Sequence, residues 1–302
     1  NSMQPSCHIC GIGSVFLLTK DGYALYRCSN CLLVFVSPTP TEDFLSQEVY
    51  SEESGYQAHK KSDFSELVQD GKTRKIFEEL GQRQGRTLLD VGCSSGEFLY
   101  WAQKAGFDVS GVELNPRTAT IAKQNGLAVT VGTIESLPIS AGTFDIIFLG
   151  DVIEHVPNPR KLIADCKRLL NPSGILIIST PNLDCLWGRI TLSLYRWFRI
   201  PPSTLTPPFH LFQFSKGNLD QLLSRSGFFH TKAFFLSPPK LVYELGMLHL
   251  RKRFKQRKSA VNLGYMIFAY CLYTVAYGLN KVLQPLLTSN FAMVVFYQKK
   301  HA

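Results

Sequence analysis

Four cysteines in two short knuckles, Cys7-x2-Cys10 and Cys28-x2-Cys31 with seventeen residues between the pairs, have the spacing of a tetrahedral zinc site. With all four positions on the metal filled by thiolate, such an ion would shape the chain and would not activate water. His8, inside the first knuckle, is not expected to be a ligand. A second kind of chemistry is written at 88–99, LLDVGCSSGEFL. An apolar run ends in Asp90, Gly92 and Gly96 frame a tight turn through Cys93 and Ser94, and Glu97 opens an amphipathic stretch. Glycine lets a backbone come close to a ligand, and the helix start that follows presents free N–H groups. About twenty residues on, VSGVE ends in Glu113, the distance at which a carboxylate takes the ribose hydroxyls of an adenosine cofactor. A third group, Gly150-Asp151-Val152-Ile153-Glu154-His155, follows another apolar run. His155 is the general-base candidate, since an imidazole of reference pKa about 6.5 suits neutral operation, and its other role would be to hold the loop by a hydrogen bond.

These groups need a scaffold that brings strand ends together. After the first turn come AVTVG, FDIIFLGD and GILIISTPN, short β-branched runs separated by helical patterns at 116–125 and 159–170. Strand and helix alternate, which predicts an α/β fold with a mostly parallel sheet and ligands at the carboxyl ends of its strands.

The ordered set DVGCSSG, GVELNP, FDIIFLGDVIEHVPNP and PSGILIISTPN resembles the class I S-adenosylmethionine-dependent methyltransferases, in the branches that hold ubiquinone-type O-methyltransferases and enzymes of surface-glycan clusters. The resemblance implies a Rossmann-like seven-stranded methyltransferase sheet, with FAMVVFYQ as an antiparallel seventh strand beside the fifth, to which this chain adds an N-terminal zinc ribbon and helical insertions. It implies S-adenosylmethionine held by Asp90, Gly92, Cys93, Ser94 and Gly96, with its ribose on Glu113 beside Leu114. Two departures stand out. Ser94 occupies the place of a middle glycine, and Gly132 is followed by Thr133 and Ile134 where the family commonly has Gly-Asp, so adenine contact passes to the backbone of this turn, Thr133, Ile134 or Glu135. The resemblance also places Asp151 and His155 at the cofactor's reactive end as the catalytic pair. In ubiquinone-type enzymes an acid-x-x-Glu-His set can hold a divalent ion, and Asp151, Glu154 and His155 fit that pattern, which makes Mg²⁺ an alternative to a metal-free site. His210 and Asn182 are candidates to approach the acceptor, and Tyr50 and Tyr56 to close over the cofactor.

At 302 residues, 45% hydrophobic and 18% charged, the chain is globular and long enough for one large core with an accessory unit. The reading divides it into a zinc ribbon at 1–40, a linker with helices at 41–85, and a methyltransferase domain at 86–302 interrupted by insertions at 183–208 and 238–289. Asn1-Ser2 ahead of Met3 is set aside, and no secretory leader follows, so a cytoplasmic protein with reduced or metal-bound thiols is expected. Cys93, Cys166, Cys185 and Cys271 are expected to pack as small apolar groups.

Charge divides sharply: 16 Lys/Arg against 20 Asp/Glu up to Asn182, then 16 against 3, so the net +9 belongs to the second half. That asymmetry points to a polyanionic partner. In the first insertion Leu183, Leu186, Trp187, Ile190, Leu194, Trp197 and Phe198 share a helical face opposite Arg189, Arg196 and Arg199. The second carries six basic residues in 251–258 and then 22 uncharged ones, 259–280. A single membrane crossing conflicts with a seventh strand that must return to the same sheet, which leaves a substrate lid or peripheral contact at the inner face of a membrane. The leading function is O-methylation of a glycan, a lipid-linked or a quinone-like small-molecule acceptor. An RNA base methyltransferase is the alternative that a nucleic-acid partner would favour, and a non-catalytic SAM-binding protein is the third.

Overall fold

A computed structural model describes residues 4–45, 64–65, 67–81, 85–137, 143–237, 240–241, 245, 260–283 and 290–300. Tyr50, Tyr56 and the basic tract 251–258 lie outside the described residues.

The expected sheet forms. Strands β4 (Thr87–Val91), β5 (Asp108–Glu113), β6 (Val129–Val131), β7 (Phe144–Gly150), β8 (Leu170–Pro181), β10 (Phe228–Leu236) and β11 (Ala292–Lys299) lie in the order β10-β11-β8-β7-β4-β5-β6. The pairs from β6 to β8 are parallel, and β11 is antiparallel to both neighbours, as expected for FAMVVFYQ. Both faces are buried: Leu88 enters one core and Leu89 the other, which is why the strands read as continuous apolar runs and not as alternating ones.

The helices that cover the sheet carry their start signals in the sequence. α4 (Pro116–Gln124) and α5 (Pro159–Leu169) both open on Asn-Pro; Asn115 and Asn158 accept from the N–H groups of Arg117 and Lys161, and proline takes the first position, where no N–H is needed. α2 (Gly71–Leu80) is capped by Asp70 on Thr73, and α7 (Lys216–Arg225) by the reciprocal Ser215–Asn218 box. α3 (Glu97–Lys104) follows the glycine turn. The first insertion contains α6 (Leu186–Phe198) and the second α8 (Ala260–Leu283), while α1 (Glu42–Phe44) is one turn.

The N-terminal ribbon is not a bead on a string. β1 (Ser14–Lys20), β2 (Tyr23–Cys28) and β3 (Val34–Val36) form an antiparallel sheet whose fourth strand, β9 (Phe212–Gln213), comes from the segment after the first insertion. Arg160 and Arg225 both donate to the carbonyl of Ile9, and the fully buried Lys20 donates to the carbonyls of Pro202 (2.7 Å) and Leu205. An ammonium is tolerated inside only because these carbonyls replace its water.

Candidate active site

The cradle is built at the end of β4. Gly92, Ser94 and Gly96 all take positive φ (72°, 58° and 87°), so two of the three turns of direction fall on glycine and one on a serine that carries the strain. A Cβ on Gly92 would sit 2.7 Å from Val152 Cγ2, and one on Gly96 would strike Leu127 and Ala122. Glycine is therefore needed for packing as well as for conformation. Glu113 Oε2 accepts from the N–H of Ser94 (2.7 Å) and Oε1 from that of Asn115 (2.8 Å), so the carboxylate braces the turn while keeping lone pairs for a ligand. Asp90 and Cys93 are buried, with Cys93 Sγ against Gly111, and Leu114 at the end of β5 is half exposed. Of the residues expected near adenine, Ile134 is buried in the core and Glu135 is drawn to Lys161 Nζ at 2.6 Å. Thr133, which opens the 3₁₀ turn Ile134–Ser136, and the main chain of Gly132 remain. The residues present fit a nucleoside carrying a positively charged tail: a glycine-lined turn, free N–H groups at α3 and one braced carboxylate.

The loop after β7 lies against this cradle through Val152. Asp151, at φ 56°, does not join Glu154 and His155; its oxygens meet Lys72 Nζ (2.9 Å) and Ser179 Oγ (3.0 Å). Loss of water works to raise the Asp151 pKa, yet the Lys72 ammonium and the Ser179 hydroxyl outweigh it and hold the carboxyl below its ordinary range. Lys72, from α2, is a residue that sequence reasoning missed. It has no motif spacing to the loop 79 residues away, and only the docking of α2 over the strand ends brings it there.

His155 Nδ1 lies 2.5 Å from the carbonyl oxygen of Phe209. A carbonyl can only accept, so Nδ1 carries the proton and the lone pair sits on Nε2, 4.0 Å from Glu154 Oε1. Burial pulls His155 below the ordinary imidazole pKa, against the opposing pull of the Phe209 carbonyl and the Asp151 carboxylate. Glu154 is buried with neither carboxylate oxygen hydrogen-bonded; burial first, then the Asp151 charge, push its pKa up to about 8. His210 stacks edge-on to His155 at 4.8 Å between ring centroids, and burial, with His155 adding to it, takes its pKa down to about 3. The ligand atoms of Glu154, His155 and His210 all lie within 4.8 Å of one another, so the expected Asp151–Glu154–His155 metal set is replaced by one that includes His210. Two imidazoles suit borderline metals better than Mg²⁺. Asn182, expected near the acceptor, instead ties β8 to β11, donating to the carbonyl of Asn290 and, through its N–H, to that of Phe291.

The four ribbon cysteines converge. Sγ atoms of Cys7 and Cys31, and of Cys10 and Cys28, lie 3.4 Å apart, and those of Cys10 and Cys31 4.0 Å, around the ~3.8 Å edge of a tetrahedron with Zn–S near 2.3 Å. Backbone N–H groups of Ile9, Asn30 and Cys31 point at the sulfurs of Cys7 and Cys28. His8 is no part of the cluster; its ring packs edge-on to Phe35 and Phe212. The cluster is also wired to the loop after β7. Residues 211–213 pair with β3 on one side, and on the other Leu211 and Phe212 donate to the carbonyl of Glu154 while Phe209 holds His155. Of the remaining thiols Cys93, Cys166 and Cys185 are buried as expected; Cys271 is exposed on α8, which corrects the expectation that it packs inside. Cys185 caps α6 by accepting from Gly188.

The family described as "Methyltransferase domain" matches residues 64–231. A ubiquinone biosynthesis O-methyltransferase from Bordetella avium is 35% identical over 114 residues, which cover 35% of this chain and 47% of that protein. The matched stretch thus spans about half the length of this curated relative. Among solved structures, the YcgJ protein of Bacillus subtilis (17% identity, TM-score 0.50, covering 76% of this chain and 98% of that one) and the [4+2]-cyclase SpnF (18%, 0.50, 76% and 80%) share the fold. The sheet order, the glycine turn braced by Glu113 and the match over more than half the chain lead to one conclusion: the chain belongs to the class I S-adenosylmethionine-dependent methyltransferase family.

Proposed function

We propose that this chain transfers a methyl group from S-adenosylmethionine to a hydroxyl oxygen of a small-molecule acceptor, and that His155 Nε2 takes the hydroxyl proton. The observation that carries the reading is the fixed tautomer of His155: the Phe209 carbonyl holds the proton on Nδ1, and the loop that bears the imidazole packs directly on the cofactor turn through Val152 and Gly92. When bound, the cofactor supplies an electrophilic methyl on a sulfonium, and displacement from it needs alignment more than acid catalysis. The Gly92–Gly96 turn and Glu113 would fix the nucleoside, and the depressed pKa keeps His155 neutral and able to accept at pH 7. Glu154, at about 8, stays protonated there and leaves no fixed charge to trap the imidazolium.

An oxygen acceptor is favoured by the named activity of the curated relatives, and the class extends to glycan, lipid-linked and quinone-like hydroxyls. The four ribbon cysteines are assigned to one structural Zn²⁺, and thiols gathered for a metal support a reducing, cytoplasmic compartment. The test is transfer of label from methyl-labelled S-adenosylmethionine into lipid and glycan extracts, read by mass spectrometry. Label should enter an ether methyl with the native chain and drop by ~10²–10⁴-fold with His155→Ala. Label in RNA, or full turnover by the variant, would remove this reading.

A further inference from the structure

The two insertions, far apart in sequence, fold into one helical unit. α8 buries a single stripe, Ala269, Tyr273, Ala276, Tyr277 and Asn280, against α6. Trp187 meets the rings of Tyr273 and Tyr277 edge-on at 5.1 and 5.4 Å, and the Tyr273 hydroxyl donates to Ser203 Oγ at 2.6 Å. The hydroxyl of Tyr273 is thus turned inward. The opposite stripe of α8 is apolar and open: Phe268, Val275, Leu279 and Val282, spaced seven, four and three residues, are 45–73% exposed. At the end of α6, Trp197 (73% exposed) and Phe198 extend it, and the Phe198 and Phe268 rings, 5.6 Å apart, join the two helices into one surface.

The apolar stretch 264–283, whose most apolar 18-residue window is only 28% buried, is not packed as a core helix. Nor can it cross a bilayer once, because it lies between β10 and β11, which pair along their whole length in one sheet. What remains is contact along the face. Half of the large exposed hydrophobics among the described residues fall on α6 and α8, and a continuous patch of this kind on a folded protein marks an interaction surface. The cations Arg196, Arg199 and Lys281 lie on the same two helices, and the chain from 183 onward has 16 basic residues to 3 acidic ones. Exposed apolar side chains, a tryptophan among them, and Arg and Lys on the same two helices together match the boundary between headgroups and acyl chains of an anionic leaflet.

We propose that the outer faces of α6 and α8 dock in the plane of an anionic lipid bilayer, with α8 lying along the surface. The residues that form this face are not those that build the cofactor turn or the loop 151–155, so the proposal does not rest on which acceptor is methylated.

The experiment is sedimentation of the full 302-residue chain with vesicles of equal parts phosphatidylglycerol and phosphatidylcholine, beside vesicles of phosphatidylcholine alone. The chain should pellet with the first and release as salt rises. Leu279→Asp with Val282→Asp should weaken binding at least ~10-fold while S-adenosylhomocysteine affinity stays unchanged, because both side chains face away from the fold. With the native chain, brominated lipid should quench the emission of Trp197 and leave the Trp197→Phe variant much less affected, a readout that needs no destabilising change. A supernatant chain at low salt, binding that the double variant retains, or quenching that persists without Trp197 would each overturn the proposal. So would a dimer in solution that the double variant dissociates, since the face would then belong to a second copy.

Discussion

Glu113 gives the most demanding test, because it braces the turn in the structure and the proposed cofactor site gives it a second task, holding the ribose. Its Oε2 accepts from Ser94 N–H and its Oε1 from Asn115 N–H, at 2.7 and 2.8 Å, so it holds the strained turn before any ligand arrives. Each hydrogen bond to a charged acceptor contributes about 1.5 kcal/mol. In Glu113→Ala both backbone bonds go, and with them the two ribose contacts proposed for this carboxylate. Loss of the ribose pair should cost ~3 kcal/mol of binding, or roughly 150-fold in affinity, and loss of the braces a further ~1–3 kcal/mol of stability. Glu113→Gln separates this from a mere need for negative charge. The amide NH₂ would face one of the two N–H groups donor to donor, so glutamine repairs at most one brace and should recover less than half of the lost binding free energy. Calorimetry with S-adenosylhomocysteine and thermal unfolding of the free protein report the two tasks independently. Glutamine binding as tightly as glutamate would refute the reasoning, and so would an alanine variant whose melting temperature is unchanged.

Cys28→Ser should bind no zinc by metal analysis and should lose rigidity at 211–213 in hydrogen exchange, because β3 is the partner of that segment, while S-adenosylhomocysteine affinity is retained; full zinc content in the variant would remove Cys28 from the ligand set. Ser94→Gly should leave binding intact and raise stability by up to about 1 kcal/mol, since glycine relieves the left-handed strain at φ 58° at some cost in chain entropy, and a lower melting temperature would contradict this. Lys72→Met should return the Asp151 pKa toward the ordinary carboxylate range in an NMR titration and change stability by less than ~1 kcal/mol, as both partners are partly exposed. Stability should peak between pH 4.5 and 6.5. His210 at about 3 in the fold against 6.5 unfolded makes the folded state bind fewer protons, so stability falls as pH drops below 6.5; Glu154 at about 8 against 4.5 makes it bind more, so stability falls as pH rises toward 8. Urea unfolding across this range should show the alkaline decline vanish in Glu154→Gln.

The local signals in this chain were strong wherever one backbone rule decided them. Two Asn-Pro pairs start α4 and α5, two knuckles gather the cysteines, and a glycine turn after an apolar run becomes the cradle, because capping, thiolate geometry and positive φ are properties of a few neighbouring residues. The β-branched runs likewise announced a mostly parallel sheet, and FAMVVFYQ took its antiparallel place. The charge asymmetry and the helical pattern of each insertion were also readable before any fold existed.

Side-chain partners across the fold were another matter. Asp151, Glu154 and His155 stand within five residues and read as one set, yet a positive φ at Asp151 turns its carboxylate toward Lys72 and Ser179, while Glu154 and His155 turn toward His210. Asn182 went to β11 and Glu135 to Lys161 for the same reason: each found the nearest partner in space, and spacing along the chain carries no information about that. The pairing of the ribbon with β9 belongs to this class as well. The sequence by itself determined the elements, the turn and the two cysteine knuckles, since these depend on neighbours within a few residues. Tertiary structure decided which charges meet, which imidazole nitrogen carries the proton and which helix face stays open, since these depend on desolvation and contact between segments up to 216 residues apart.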